Sequence, residues 1–182
     1  MKKKDLYWLF GYPIYQLIGT FRHEASHALV AWLQGAQITE FVFWPTVGEA
    51  GFFWGYVRWV GQTDWLVTAA PYIVDLLTFG IFLVICLRLL FPARWIWLNV
   101  VILGVVSPLI NSFYNYWGSE RGQNDVSGLF EILPRSIVHG YFAITMVLYI
   151  GGLILLFTMS KRSRADRQRG SLSFDLAFST VH

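Results

Sequence analysis

The sequence predicts an α-helical integral membrane protein with about four transmembrane helices and a membrane-interface β-hairpin between the first and second. Three observations predict it. Of 182 residues, 55% are hydrophobic and only 14% are charged, where soluble domains carry about 25% charge. The apolar residues are gathered rather than scattered: Trp95 to Trp117 and Ser136 to Ser160 are uncharged, and Leu66 to Leu87 is broken only by Asp75. Each run matches the roughly 20 residues that cross a bilayer. Before them, Gly35 to Asp64 is aromatic and β-branched around a Gly-rich middle, the composition of a hairpin.

The first element begins after Met1-Lys2-Lys3-Lys4-Asp5 and runs from Leu6 to about Leu33, with Gly11 and Pro13 near its start. Only Leu6 to Phe21 precede the polar insert Arg22 to His27, so a span must include that insert. Polar groups are expensive in lipid and mark a functional site by default. No small-residue cleavage site follows the apolar stretch, and the N-terminus reads as retained. Next come Ile38 to Trp44, Val47-Gly48-Glu49-Ala50-Gly51 and Phe52 to Val60, read as a hairpin at the depth that Trp and Tyr favour. Spans two, three and four are expected at about 66–87, 95–117 and 136–159, separated by the turn 88–94 and the polar loop 118–135. Pro71 reads as a kink and the Gly151-Gly152 pair as a close-packing site. Residues 1–160 form one membrane-embedded domain; the basic stretch 161–182 reads as a disordered tail or one held to anionic headgroups.

Charge orders these spans. If both ends and the 88–94 turn share one side, it carries ten of the fourteen basic residues, against Arg58, Arg121 and Arg135 opposite. The positive-inside rule makes that side cytosolic. Basic residues placed this way orient a chain in lipid and give no reason to expect nucleic acid as a partner. The single cysteine, Cys86, excludes an intrachain disulfide and a Cys-based zinc site.

His23-Glu24-Ala25-Ser26-His27 is an H-E-x-x-H motif. On a helix, histidines four apart project from one face and can ligate one Zn²⁺, with the glutamate placed to take a proton from water. The local sequence favours that helix: Glu24 to Leu33 contains no Gly or Pro, and Gly35 is a natural stop. The plain alternative is two histidines bonded within a polar membrane core. A hydrolytic site needs a third protein ligand, and the acidic candidates are Glu49, Asp75 and Asp125. Of the other histidines, His139 begins span four without an acidic neighbour at helical spacing and His182 is terminal. Arg22 reads as an interfacial or pore-facing charge.

The run Arg22 to Val30, followed by Gln34-Gly35-Ala36, an aromatic hairpin, a Pro-bearing second span and an Asp about a hundred residues downstream, resembles the site-2 protease class of intramembrane zinc metalloproteases in its short form. The resemblance implies that Asp125 is the third ligand, matching the aspartate of the family's L-D-G or N-D-G motif; here it stands in Asn124-Asp125-Val126, without the glycine. It implies Zn²⁺ on His23, His27 and Asp125, Glu24 as general base, and a membrane protein or peptide as substrate. It also implies a multi-pass protein of the plasma (inner) membrane of a prokaryote. The family's upstream Asn-Pro feature has only Pro108, Asn111 and Asn115 to match it, in a different order, and its role is not transferred. Family members place the zinc nearer the cytosolic face, whereas the charge pattern puts this site toward the other side, so its orientation stays open. A non-proteolytic membrane scaffold that keeps a zinc site is the alternative function. A di-iron hydroxylase would need more than four histidines, and a transporter more spans and an internal repeat.

Overall fold

The computed structural model describes residues 7–48, 51–89, 91, 94–121 and 124–179. Helix α1 (Tyr7–Leu33) runs unbroken through Pro13 and the polar insert. It ends where Gly35 adopts φ +87°. Ala36 N–H then reaches back to Ala31 O (3.0 Å) and Gly35 N–H to Trp32 O (2.9 Å). These two bonds are the Schellman termination for which glycine is suited.

The chain then forms one long hairpin in two stages. Strand β1 (Gln37–Val42) pairs antiparallel with β4 (Tyr56–Val60), with an irregularity between Ile38 and Glu40. Strands β2 (Thr46–Gly48) and β3 (Gly51–Phe53) pair beyond them as a separate two-stranded ladder. The expected single hairpin is therefore interrupted at its middle, and its tip, with Glu49, lies outside the described residues. Its base is clasped by Gln34 and Asp64: Gln34 Nε2 donates to Asp64 Oδ1 (2.7 Å), and Asp64 N–H donates to Gln34 Oε1 (2.9 Å). Asp64 also caps α2 (Trp65–Arg88) by accepting from Leu66 N–H.

Helix α3 (Arg94–Val101), a π-helical turn (Ile102–Val106) and α4 (Ser107–Gly118) form one rod. Short α5 (Asp125–Ile132) and long α6 (Arg135–Ser179) follow. Among the described residues, three helices are long and apolar enough to cross a membrane: Trp65–Arg88, Arg94–Gly118 and Arg135–Met159. They match the second, third and fourth expected spans. Helix α1 falls outside this measure, because Arg22, His23, Glu24 and His27 interrupt its apolar character. At 27 residues, α1 is about 40 Å long and has the reach of a span. Past residue 160, where the sequence reads as a disordered tail, α6 continues to Ser179; no proline interrupts that stretch, and Lys, Arg, Gln and Leu are good helix formers.

Buried apolar residues gather in three clusters, the smallest of which, Ala31, Ala36 and Val67, joins α1 to the hairpin base and α2. Ala69, Tyr72, Val126, Leu129, Val138 and Phe142 join α2, α5 and α6, while Phe79, Val101, Val105, Tyr149 and Leu156 join α2, the π-turn rod and α6. Of the glycine pair in α6, Gly152 makes the close approach: a Cβ there would lie 2.5 Å from the Phe79 ring, whereas one on Gly151 would meet nothing. Leu77, Ile81 and Val84 on α2 and Ile144, Val147 and Ile154 on α6 face outward. Such exposed apolar faces suit a lipid surround and would be costly in water.

Candidate metal centre

The H-E-x-x-H helix faces α2, the π-turn rod and α5 at the hairpin end of the molecule. His23 and His27 lie one helical turn apart with ring centroids 5.0 Å apart. Asp125, the first residue of α5, enters between them: its Oδ2 is 2.8 Å from His23 Nε2 and 3.2 Å from His27 Nε2. Its position is built by a capping box, in which Asn124 Oδ1 accepts from Ser127 N–H and Ser127 Oγ accepts from Asn124 N–H, each at 3.0 Å. The Asn124 amide also donates to Asn115 O on α4 (2.7 Å), pinning the α5 start to the rod. Val126, where the resembling motif has glycine, is fully buried in the cluster that joins α2, α5 and α6.

These three side chains could hold a metal ion, with one ligand atom from each, all within 4.8 Å of one another. The donor set fits. Two ligands about 2.0 Å from a tetrahedral metal stand about 3.3 Å apart; the His27 Nε2–Asp125 Oδ2 separation of 3.2 Å matches this, and the His23 separation of 2.8 Å would have to open by about 0.5 Å. His27 Nδ1–H donates to Val67 O at 2.7 Å, which leaves Nε2 as the lone-pair nitrogen, the arrangement expected behind a metal ligand. Among the described residues, the buried Tyr72 hydroxyl has no hydrogen-bond partner. Its ring packs edge-on to His23, with centroids 6.0 Å apart.

Asp75 is the other buried carboxylate, 1% exposed, and it has different work. Arg22 meets its Oδ1 through Nη2 (2.7 Å) and Nε (2.9 Å), and Asn111 Nδ2 donates to its Oδ2 at 2.6 Å. Arg22 also donates to Leu103 O and Ser107 Oγ, each at 3.3 Å. Arg22, read from sequence as an interfacial or pore-facing charge, is thus half of a buried ion pair. Asn111 joins this network to the histidines: its Nδ2 donates to His23 Nδ1 (3.2 Å), which places the neutral ring's proton on Nε2, facing Asp125 Oδ2.

Glu24 is buried from bulk solvent yet lines a cavity of about 1460 Å³ that it shares with His23, His27, Trp54, Tyr56 and Tyr114. Among the described residues, no protein group hydrogen-bonds its carboxylate, which is therefore free to engage something in the cavity. The cavity exceeds the roughly 300–1,000 Å³ of small-molecule pockets and is large enough for a length of polypeptide. The hairpin forms one wall because Gly55 lets it close down on α1: a Cβ there would sit 2.6 Å from Thr20 Cγ2, 2.7 Å from Val42 O and 3.1 Å from Glu24 Cγ. On the same wall Tyr56 donates its hydroxyl to Glu40, a bond that raises the phenol above its ordinary pKa.

The structure brings together His23, Glu24, His27 and Asp125 and keeps Asp75 out of the ligand cluster. His139 is elsewhere, with its Nδ1 2.8 Å from the Tyr116 hydroxyl; His182 lies outside the described residues. Sequence reasoning gave no role to Asn111 and Asn124, though it met both beside the family's motifs, and it missed Tyr72 and Gly55. Only Asn124 had a readable signal, the Asn-x-x-Ser spacing of a cap. No family model, curated protein or solved structure matches this chain.

Proposed function

We propose that this protein is an intramembrane zinc metalloprotease that cleaves membrane-embedded or juxtamembrane segments of other proteins. The observation that carries the reading is the convergence of His23, His27 and Asp125 beside an unpaired Glu24, all opening onto one large cavity. His23 and His27 would hold zinc through Nε2 and Asp125 through its carboxylate; for His23 this requires the ring proton to move to Nδ1 and the Asn111 amide to turn its oxygen toward it. A zinc ion bound there supplies Lewis-acid chemistry, activating water and polarising a peptide carbonyl.

The remaining steps belong to the chain. Glu24 accepts the proton of the attacking water and returns it to the nitrogen of the departing amine, the two halves of general acid–base work. A substrate helix must unwind before its carbonyl reaches the histidines. The edge of β4 not paired with β1 offers such a strand main-chain hydrogen bonds, and Tyr56, Val57 and Trp59 of β4 line the cavity.

In this reading α1 is a fourth crossing, both termini are cytosolic, and the membrane is the plasma (inner) membrane of a prokaryote. The basic-residue asymmetry supports the sidedness, and the short-form resemblance supports the membrane. The test is Glu24→Gln. Glutamine keeps the volume but cannot accept the proton, so cleavage of co-expressed single-span substrates is expected to fall by at least about 10²–10⁴-fold with zinc retained. Identical fragments from the parent and Glu24→Gln would remove the protease reading and leave a zinc-bearing scaffold.

A further inference from the structure

Pro71 in α2 and Pro108 in the rod each leave one backbone carbonyl without its helical donor. In α2 the carbonyl of Val67 would accept from the N–H of residue 71, but Pro71 has none. Val67 is fully buried, and an unpaired carbonyl in a region without water must find a partner. It finds His27, whose Nδ1 is 2.7 Å away. A carbonyl only accepts, so Nδ1 carries the proton and the Nε2 lone pair is aimed at the Asp125 side of the site. Trp59 stacks on the same ring at 6.4 Å between centroids, limiting its rotation.

The device recurs in the rod. Ser107 N–H bonds back five residues to Ile102 O, skipping Leu103 O, and the next residue in line is Pro108. Leu103 O accepts instead from Arg22 Nη1, one residue before His23. Neither contact follows from a kink alone, since α2 stays continuous from Trp65 to Arg88 through Pro71.

We infer that Pro71 is a positioning residue for the metal centre: by withholding a backbone N–H it frees the Val67 carbonyl to orient His27. This rests on the proposal that His27 ligates zinc. Pro71→Ala supplies the missing N–H, which would draw the Val67 carbonyl back into the helix and leave His27 Nδ1 without its acceptor. Zinc affinity, measured by competition with a chromophoric chelator on the purified full chain, is expected to fall about 10–100-fold, the usual effect of losing a partner behind a ligand. Helical content should be unchanged, and Pro13→Ala, on the exposed side of α1, should bind zinc as the parent does.

The α-hydroxy analogue of alanine placed at position 71 has neither a ring nor an N–H, so it separates a kink from a withheld donor. Parental affinity in that variant is expected. Parental affinity in Pro71→Ala, or an equal loss in the α-hydroxy variant, overturns the inference; where Pro71→Ala does not fold, the α-hydroxy variant decides alone. A parent that binds no zinc would instead overturn the ligand assignment beneath it.

Discussion

Replacing Asp75 and Asp125 separately by alanine should produce opposite phenotypes from two carboxylates of the same chemistry. Asp75 is 1% exposed and receives two contacts from Arg22 and one from Asn111, all between 2.6 and 2.9 Å. Asp75→Ala leaves the Arg22 guanidinium largely buried and without its counter-charge, a loss of about 3–5 kcal/mol for a broken buried pair. That is a large part of the roughly 5–15 kcal/mol that holds a typical domain together. Its zinc stoichiometry should stay near one per chain wherever it remains folded, because Asp75 touches neither Nε2. Asp125→Ala removes an acceptor that is partly open to the cavity, so it should change stability little and lose zinc. Denaturant unfolding in detergent micelles, paired with metal analysis of the folded fraction, measures both. A double change, Arg22→Met with Asp75→Leu, should recover most of the stability that Asp75→Ala loses. Full stability in Asp75→Ala, or loss of zinc from that variant while folded, would refute the division of labour.

Three further outcomes follow from the geometry. Gly55→Ala places a methyl group 2.6–3.1 Å from Thr20, Val42 O and Glu24, so the hairpin must lift by about 1 Å; overpacking should cost about 1–3 kcal/mol in unfolding measurements. Displacement of Glu24 should slow cleavage by up to about 10²-fold, with zinc content unchanged, and undiminished cleavage would show that the hairpin does not set Glu24. His27→Ala is expected to abolish the stoichiometric zinc of the parent in metal analysis, since two protein ligands do not make a closed site; full occupancy would remove the ligand assignment. With Cys86 replaced, Gly48→Cys and Ser171→Cys should be labelled from opposite sides of the membrane, and labelling of both from the cytosol would invert the proposed sidedness.

Much of this protein is legible locally. Three apolar runs announce the three helices able to cross a membrane, because about 20 uncharged residues satisfy the length and the solvation of a span without reference to the rest of the chain. The histidine spacing and Gly35 are equally local: the helical period puts His23 and His27 on one face, and a left-handed glycine stops the helix. Residue chemistry left Glu49, Asp75 and Asp125 open as the third ligand and the family resemblance implied Asp125; the partner that Asp75 and Asp125 each meet is set by the tertiary structure. Asp125 is 102 residues from His23 and Asp75 is 53 from Arg22; both are acids near apolar helices, and nothing within a few residues of either says which cation it will meet. That choice is made by how α2, α5 and the π-turn rod pack around α1. The same holds for the Val67 carbonyl and for Gly55, whose roles exist only because another element approaches them. Composition and periodicity are properties of a single segment, but a hydrogen bond between segments depends on the relative placement of both, and that placement is set by the summed packing of the whole fold.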